Sequence, residues 1–236
     1  MTLVLLTPIG LDDGSWREVK LPPVDLVTHV FPGFGGRARL IPAPDMAQLA
    51  DEVVEAYEGP LDLVGVSMGG MVAQNIAVRH PGRVNSLLTA CTGAASDPAT
   101  MHDRAATVES AGMAGVLDTT LERWFTTEAL SRRPQPAGVI YARDTLLALD
   151  PEAFADGWRA IATHDVRGGL PDVRVPTTCI AGDADAASPV ARGEEIARLV
   201  PNCRFVVLAG PHMMHLENPE GFGAALVAHL GWARGG

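Results

Sequence analysis

The sequence predicts an α/β fold in which a mostly parallel sheet of about six strands is flanked by helices. Short apolar runs alternate along the chain with helical patterns, and turn-forming residues follow each run. Such runs are typical of parallel strands buried on both faces, and their alternation with helices favours one sheet covered on both sides. The apolar runs lie at residues 2–6, 25–31, 61–66, 85–91, 177–181 and 203–209.

Helix signals separate these runs. Asp45 and Gln48 have the spacing of a capping box, which predicts that a helix begins at this point and runs toward Gly59. Proline starts or stops each of the other predicted helices, because its ring is tolerated only in the first turn of a helix. These helices span residues 71–80, 189–200 and 219–230.

Residues 97–175 interrupt the alternation, because they contain helical patterns and no convincing strand. We interpret this segment as a helical cap inserted between the fourth and fifth predicted strands. The α/β core would then consist of residues 1–96 and 176–236. A second, independent domain is the alternative interpretation, but the strand pattern resumes after the segment and favours an insertion.

The composition of the 236-residue chain excludes several function classes. Hydrophobic residues make up 47% and charged residues 19%, which is typical of a globular protein. The net charge of −10 repels a phosphate backbone, so nucleic acid is not an expected partner. Lys20 is the single lysine beside 17 arginines, and Leu21 follows it. The chain therefore has neither a Walker A phosphate loop nor a placed lysine for imine chemistry.

No cofactor or metal is expected. The three cysteines form no metal-ligand motif, and we interpret Cys91 and Cys179 as small buried side chains. Residues 33–38 fit a G-x-G-x-x-A dinucleotide motif, but Pro42 and Pro44 prevent the helix that this motif requires. The apolar runs are too short for a signal peptide or a membrane span, so we expect a cytoplasmic protein with no membrane partner.

A G-x-S-x-G motif places a candidate nucleophile at Ser67. Gly65 and Gly69 flank this serine, a buried strand precedes it and a helix follows it. This is the context of a nucleophile elbow, in which the two glycines allow the strand and helix backbones to pass closely. The turn also places the hydroxyl at a helix N-terminus, where free N–H groups favour negative charge.

A serine nucleophile needs a base, and the base needs a carboxylate that orients it. Both should follow the serine, at the carboxyl ends of later strands. Asp183 and Asp185 follow the fifth apolar run, and His212 and His215 follow the sixth. We favour His212, which lies in the loop just after its strand, and Asp185, which lies between its strand and the next helix. Asp183 would then cap the turn, and His215 would have a local structural role.

An acyl-transfer site also needs N–H donors for the oxyanion. One should be the N–H of Met68, the residue after the nucleophile. The other should come from the loop after the first strand, where Pro8 has no N–H to donate. We favour Ile9 as this second oxyanion-hole donor and keep Leu11 as the alternative. An ordinary strand-ending turn is the competing interpretation of the loop.

The motifs around Ser67, Asp185 and His212 resemble those of the α/β-hydrolase superfamily, over essentially the whole chain. The resemblance implies an eight-stranded α/β-hydrolase fold with a helical cap. Because this sequence begins at what would be the third strand, we expect an N-terminally shortened sheet of six strands, with residues 25–31 at its edge. Pro211 stands where members usually have glycine. Resemblance to the 3-oxoadipate enol-lactonase branch is carried by residues 7–16, 112–125, 141–167 and 175–189.

The cap should determine substrate specificity. Arg123 and Trp124 combine a guanidinium that can bind a carboxylate with aromatic surface, and the resemblance suggests that their helix lines the substrate-binding pocket. The alternative is a surface arginine beside a packing tryptophan. Since Lys20 is the only lysine, an anionic substrate would have to be held by arginine.

These features predict a cofactor-independent serine hydrolase that cleaves a small carboxylic ester or lactone through an acyl-enzyme. The resemblance implies an enol-lactone of aromatic catabolism as its substrate. Hydrolysis of a C–C bond in a meta-cleavage product is the alternative reaction on the same fold. No residue of the sequence distinguishes hydrolysis from acyl transfer to another acceptor. A non-catalytic ligand-binding protein on this scaffold is disfavoured, because such proteins often lose a triad member and this chain has all three.

Overall fold

The computed structural model describes residues 2–21 and 23–235, and within them six strands form a single sheet. The strands are β1 (Thr2–Leu6), β2 (Leu26–His29), β3 (Leu61–Val66), β4 (Val84–Ala90), β5 (Thr177–Gly182) and β6 (Cys203–Leu208). They pair in the order β2-β1-β3-β4-β5-β6, and every pair is parallel. The predicted α/β fold is confirmed, and β2 lies at an edge of the sheet as expected.

Helices connect the strands as the alternation predicts. In the described part of the chain they are α1 (Met46–Ala56), α2 (Met68–Arg79), α3 (Pro98–Trp124), α4 (Thr127–Ser131), α5 (Ala137–Leu147), α6 (Pro151–Ala162), α7 (Val190–Leu199), α8 (Met214–Glu217) and α9 (Pro219–Ala233). The capping box predicted from Asp45 and Gln48 is present at the start of α1. None of the helices named here is both long and apolar enough to cross a membrane.

A hydrophobic cluster covers each face of the sheet, which explains why most of the strand residues are apolar. Along β1, Val4 and Leu6 belong to one hydrophobic cluster, whereas Leu3 and Leu5 belong to another. Successive side chains of a strand point to opposite faces, so the two clusters lie on opposite sides of the sheet. Helices α1, α2 and α7 contribute to the first cluster, and α9 contributes to the second.

Helices α3 to α6 are inserted between β4 and β5, and we refer to them as the cap. Gly112 interrupts α3 with φ of 68° and ψ of 175°, a conformation that favours glycine. This kink divides α3 into two helical segments. A bridge between Ala95 and Asp165 joins the chain before the cap to the chain after it. The chain therefore enters and leaves the cap at neighbouring points.

Candidate active site

Ser67 lies in a sharp turn between β3 and α2. Its backbone has φ of 54° and ψ of −118°, a strained conformation for a residue with a side chain. Its N–H donates to the Ala90 carbonyl at 2.9 Å, which fixes the turn against β4. A Cβ atom at Gly65 would lie 2.3 Å from the Gly69 backbone, and one at Gly69 would lie 2.2 Å from the Leu6 carbonyl oxygen. Close backbone approach therefore requires both glycines of the motif.

The structure brings Ser67, His212 and Asp185 into one hydrogen-bonded line. Oγ of Ser67 lies 2.9 Å from Nε2 of His212. Nδ1 of His212 lies 2.9 Å and 3.1 Å from the two carboxylate oxygens of Asp185. With its proton on Nδ1, the imidazole donates to Asp185 and accepts from the Ser67 hydroxyl. Each of the three residues is only 6% exposed, so little water competes for these hydrogen bonds.

Backbone N–H groups hold Asp185 in place. Its Oδ1 accepts from Ala187 at 2.8 Å and from Ser188 at 2.7 Å. The neighbouring Asp183 has a different partner, because its carboxylate accepts the Gly210 N–H at 2.9 Å and ties the loop after β5 to the loop after β6. Of the two candidate carboxylates, Asp185 is the one that lies beside the histidine.

His215, the alternative base, lies in α8 and is fully buried. Its ring packs against that of Trp16, with ring centroids 5.1 Å apart. Neither ring nitrogen has a hydrogen-bond partner among the residues that the structure describes. Burial lowers the pKa of His215 to about 3, so the ring is neutral at physiological pH. The structure thus places His215 in the core, apart from the Ser67 hydroxyl that His212 contacts.

The two expected oxyanion donors lie in the loop after β1 and at the first residue of α2. Within the described residues, neither the Ile9 N–H nor the Met68 N–H donates a hydrogen bond. The alternative donor, Leu11, donates its N–H to the Pro8 carbonyl at 3.3 Å. Ile9 also lines the cavity at Ser67. Ile9 is therefore better placed than Leu11 for this role.

A cavity of about 210 Å³ lies between Ser67 and the cap, and we call it the reaction cavity. Ser67 and His212 lie in its wall, and so do Arg123 and Trp124, the expected substrate contacts of the cap. Sequence reasoning did not identify four further charged or aromatic residues of this wall: Asp97, Arg104, Trp158 and Arg192. No local motif marks them, because they reach the cavity from separate elements: Asp97 precedes α3, and the other three lie in α3, α6 and α7. The near absence of lysine was the one available signal that arginine would line the site.

Cys91 also lies in the wall of the reaction cavity. It follows β4 with φ of 52° and is buried, as expected from its apolar context. Burial, reinforced by the negative charge of Asp185, raises the pKa of its thiol well above the ordinary value. A thiol that stays protonated is a poor nucleophile. The hydrogen-bonded hydroxyl of Ser67 is therefore the better nucleophile in this cavity.

Comparison with known proteins agrees with the fold. Residues 3–225 match the sequence profile of the Alpha/beta hydrolase family. The chain belongs to this family. This α/β hydrolase is 30% identical to 3-oxoadipate enol-lactonase 2 of Acinetobacter baylyi over 165 residues, which span 70% of the chain but only 61% of that lactonase.

Two further known proteins are similar to this α/β hydrolase over nearly its whole length. It is 30% identical to a pimeloyl–acyl-carrier protein methyl ester esterase of Chromobacterium violaceum, over 97% of this chain and 93% of the esterase. The crystal structure of the enol-lactonase from Burkholderia xenovorans LB400 superposes with a TM-score of 0.90 at 27% identity, over 97% of this chain and 90% of that chain. The resemblance to the enol-lactonase branch is therefore confirmed.

Proposed function

We propose that this α/β hydrolase is a serine hydrolase that cleaves a small carboxylic ester or lactone through an acyl-enzyme. The observation that carries the proposal is the hydrogen-bonded line from Ser67 through His212 to Asp185 at the wall of the reaction cavity. Similarity to an enol-lactonase and to a methyl ester esterase supports this class of bond, and we favour an enol-lactone within it.

In the first half-reaction, Oγ of Ser67 attacks the substrate carbonyl while Nε2 of His212 takes the hydroxyl proton. The N–H groups of Ile9 and Met68 donate to the oxyanion of the tetrahedral intermediate. Asp185 keeps the Nδ1 proton in place and stabilises the imidazolium. When the intermediate collapses, His212 gives its proton to the leaving oxygen, and the acyl group stays on Ser67.

In the second half-reaction, His212 takes a proton from water as the water oxygen attacks the acyl carbon. Collapse of this second intermediate returns the proton to Ser67 and releases the carboxylic acid. With a lactone, the leaving oxygen stays tethered to the acyl chain, so a single product forms. Arg123 and Trp124 are the cap residues that we propose contact the substrate, because both line the reaction cavity.

Removal of the nucleophile tests this proposal. Ser67→Ala should lower kcat for p-nitrophenyl esters by at least about 10³-fold, because only oxyanion stabilisation and substrate binding remain. Ser131→Ala changes an exposed hydroxyl of the cap and should keep wild-type activity. A fluorophosphonate probe should label the wild-type enzyme and not Ser67→Ala. Unchanged ester and lactone hydrolysis by Ser67→Ala would show that the proposal is wrong.

A further inference from the structure

The loop after β1 carries Ile9, the proposed oxyanion donor, and we call its residues 8–12 the oxyanion loop. In the described part of the chain, the backbone–backbone hydrogen bonds of this loop reach no further than Ser15. Among the same residues, neither the sheet nor a helix of the core holds the peptide groups of the loop by such a bond. The position of the Ile9 N–H therefore depends on the side chains that contact the loop.

Tyr141 of the cap helix α5 is hydrogen-bonded to this loop. Its hydroxyl donates to Oδ1 of Asp12 at 2.7 Å and accepts the Asp12 N–H at 3.2 Å. Oδ1 of Asp12 also accepts the Gly14 N–H at 2.9 Å, so the carboxylate joins Tyr141 to the chain that follows the loop. One phenol hydroxyl thus fixes both the backbone and the side chain of Asp12.

The cap also packs closely against the loop and the residues that follow it. A Cβ atom at Gly14 would lie 2.6 Å from Cε2 of Tyr141, so the tyrosine ring has no space on that side. At the other end of the loop, a Cβ atom at Gly157 of α6 would lie 2.9 Å from Cδ1 of Ile9. Two cap helices therefore contact this part of the chain directly.

The phenol of Tyr141 stays a hydrogen-bond donor at physiological pH. Burial, followed by the hydrogen bond to Asp12, raises the pKa of Tyr141 well above its ordinary value. A hydroxyl that donates to a carboxylate forms a charge-assisted hydrogen bond, which is stronger than a bond between two neutral groups. The contact between Tyr141 and Asp12 is therefore strong enough to restrict a loop that has only local backbone hydrogen bonds.

We propose that Tyr141 is a positioning residue of the reaction, whose hydroxyl holds Asp12 so that the Ile9 N–H meets the oxyanion. This inference rests on the proposed function, in which Ile9 supplies one of the two oxyanion donors. A donor of this kind is effective at about 2.7–3.1 Å from the oxyanion, so a small displacement of the loop reduces its contribution. Tyr141 is not part of the wall of the reaction cavity, so it acts through the loop and does not touch the substrate.

Removal of the hydroxyl tests this role. Tyr141→Phe should lower kcat for p-nitrophenyl acetate by about 10-fold and change KM by less than about 2-fold, because an oxyanion donor acts mainly in the transition state. The loss should stay below the roughly 100-fold that follows removal of a donor, since the Ile9 N–H is displaced and not removed. Tyr57→Phe is the matched control, because the Tyr57 hydroxyl is hydrogen-bonded to Nδ1 of His29 instead, and it should keep the wild-type kcat and KM.

An inhibitor that forms an oxyanion gives a second measurement. A trifluoromethyl ketone adds to the Ser67 hydroxyl, and its carbonyl oxygen becomes an oxyanion in the adduct. Its inhibition constant should rise by about 10-fold in Tyr141→Phe, in step with the loss of kcat.

Variants of Asp12 test the same contact from the side of the loop. Asp12→Ala removes the acceptor and should lower kcat by roughly 10-fold, whereas Asp12→Asn keeps an acceptor oxygen and should stay within about 3-fold of the wild type. Because Asp12→Ala and Tyr141→Phe remove the same hydrogen bond, the double variant should lose less than the product of the two single losses.

The outcomes distinguish this inference from a merely structural role and from the proposed function. If Tyr141→Phe keeps the wild-type kcat and inhibition constant, Tyr141 does not position the donor, even where urea unfolding shows a loss of stability, and the hydrolase proposal stands. A change in KM alone, or losses that multiply in the double variant, would lead to the same conclusion. If Tyr141→Phe does not fold, the two Asp12 variants decide the question. If Ser67→Ala hydrolyses the ester normally, the hydrolase proposal fails and the role of Tyr141 fails with it.

Discussion

The turn at Ser67 depends on the absence of side chains at Gly65 and Gly69. Each glycine lies against backbone atoms, which cannot move aside as a flexible side chain can. Sequence reasoning identified both positions, because the motif and the reason for its glycines are local. The same reasoning expected α2 to begin three residues later than Met68. Gly69 and Gly70 are poor helix formers, and only the tight packing of the turn explains why the helix includes them.

A methyl group at Gly69 should disrupt this turn. Gly69→Ala would place a Cβ atom 2.2 Å from the Leu6 carbonyl oxygen, so we expect the free energy of unfolding to fall by about 3 kcal/mol. Gly82→Ala is the matched control, because nothing lies within 4 Å of a Cβ atom at Gly82. Urea unfolding of both variants measures the difference, and equal stability would contradict the packing interpretation.

The distance of each candidate site residue from the end of its strand was the basis for choosing between the two aspartates and between the two histidines. Asp185 and His212 were favoured over Asp183 and His215 for that reason, and the structure places the favoured pair in contact. Arg104 and Trp158 could not be predicted in the same way. They line the reaction cavity only because α3 is kinked and α6 packs beside it, and sequence periodicity does not reveal which face of a cap helix meets the substrate.

At the level of elements, the strands were the most predictable part of the fold. The bounds of β1 and β3 match the apolar runs residue for residue, because strands buried on both faces are mostly apolar. Asp62 of β3 is the one charged residue in these two strands. The short helices α4 and α5 were not predicted individually, since neither has a distinct apolar stripe in a segment of mixed character. The division of the chain at residues 97 and 176 stays a prediction.

A hydrogen-bonded contact links α2 to the segment that leaves the cap. Nδ2 of Asn75 donates to the Met71 carbonyl at 2.9 Å and lies 3.0 Å from Nδ1 of His164. Nε2 of His164 lies 3.0 Å from the Gly93 carbonyl, so the ring carries its proton on Nε2. The backbone carbonyl of His164 also accepts the Ser96 N–H. This residue therefore ties both ends of the cap to the helix that follows Ser67.

Replacement of this histidine should weaken the whole fold. His164→Phe would remove one buried hydrogen bond from the Asn75 amide, which keeps the Met71 carbonyl, and one from the Gly93 carbonyl, which keeps the Gln74 amide. We therefore expect a loss of about 1–3 kcal/mol in the free energy of unfolding. His102→Phe, at an exposed position of α3, should have little effect. Guanidinium unfolding compares the two variants, and a similar loss in both would mean that the contact contributes nothing specific.

For the molecule as a whole, net charge was informative about partners and not about the reaction cavity. The value of −10 argues against nucleic acid as a partner, and this stays a prediction. The wall near Ser67 nevertheless carries three arginines, Arg104, Arg123 and Arg192. A sum over the sequence cannot reveal this, because it does not record which charges are paired. Within the residues that the structure describes, Glu109 and Asp156 pair with Arg159, and no carboxylate forms an ion pair with Arg104 or Arg123. The fold therefore produces a local positive field inside an acidic protein.

Buried histidines should make the molecule sensitive to mild acid. Burial lowers the pKa of His29, His164 and His229 to about 4, and that of His215 to about 3. The unfolded chain therefore binds more protons than the folded one below pH 6.5, so stability is fully present above that pH and is lost as the pH falls toward 4. Each of the four groups contributes a slope of up to about 1.4 kcal/mol per pH unit.

The free energy of unfolding should consequently be several kcal/mol lower at pH 5.0 than at pH 7.5, when urea unfolding is measured at both values. Calorimetry in buffers of different ionisation enthalpy should detect an uptake on unfolding that approaches four protons near pH 5, and His229→Gln should reduce this uptake by about one. Equal stability at the two pH values would mean that the buried rings take up protons in the folded state as readily as in the unfolded chain. The contacts of His164 oppose this, because its Nδ1 accepts a hydrogen bond from the Asn75 amide and would lose that bond on protonation.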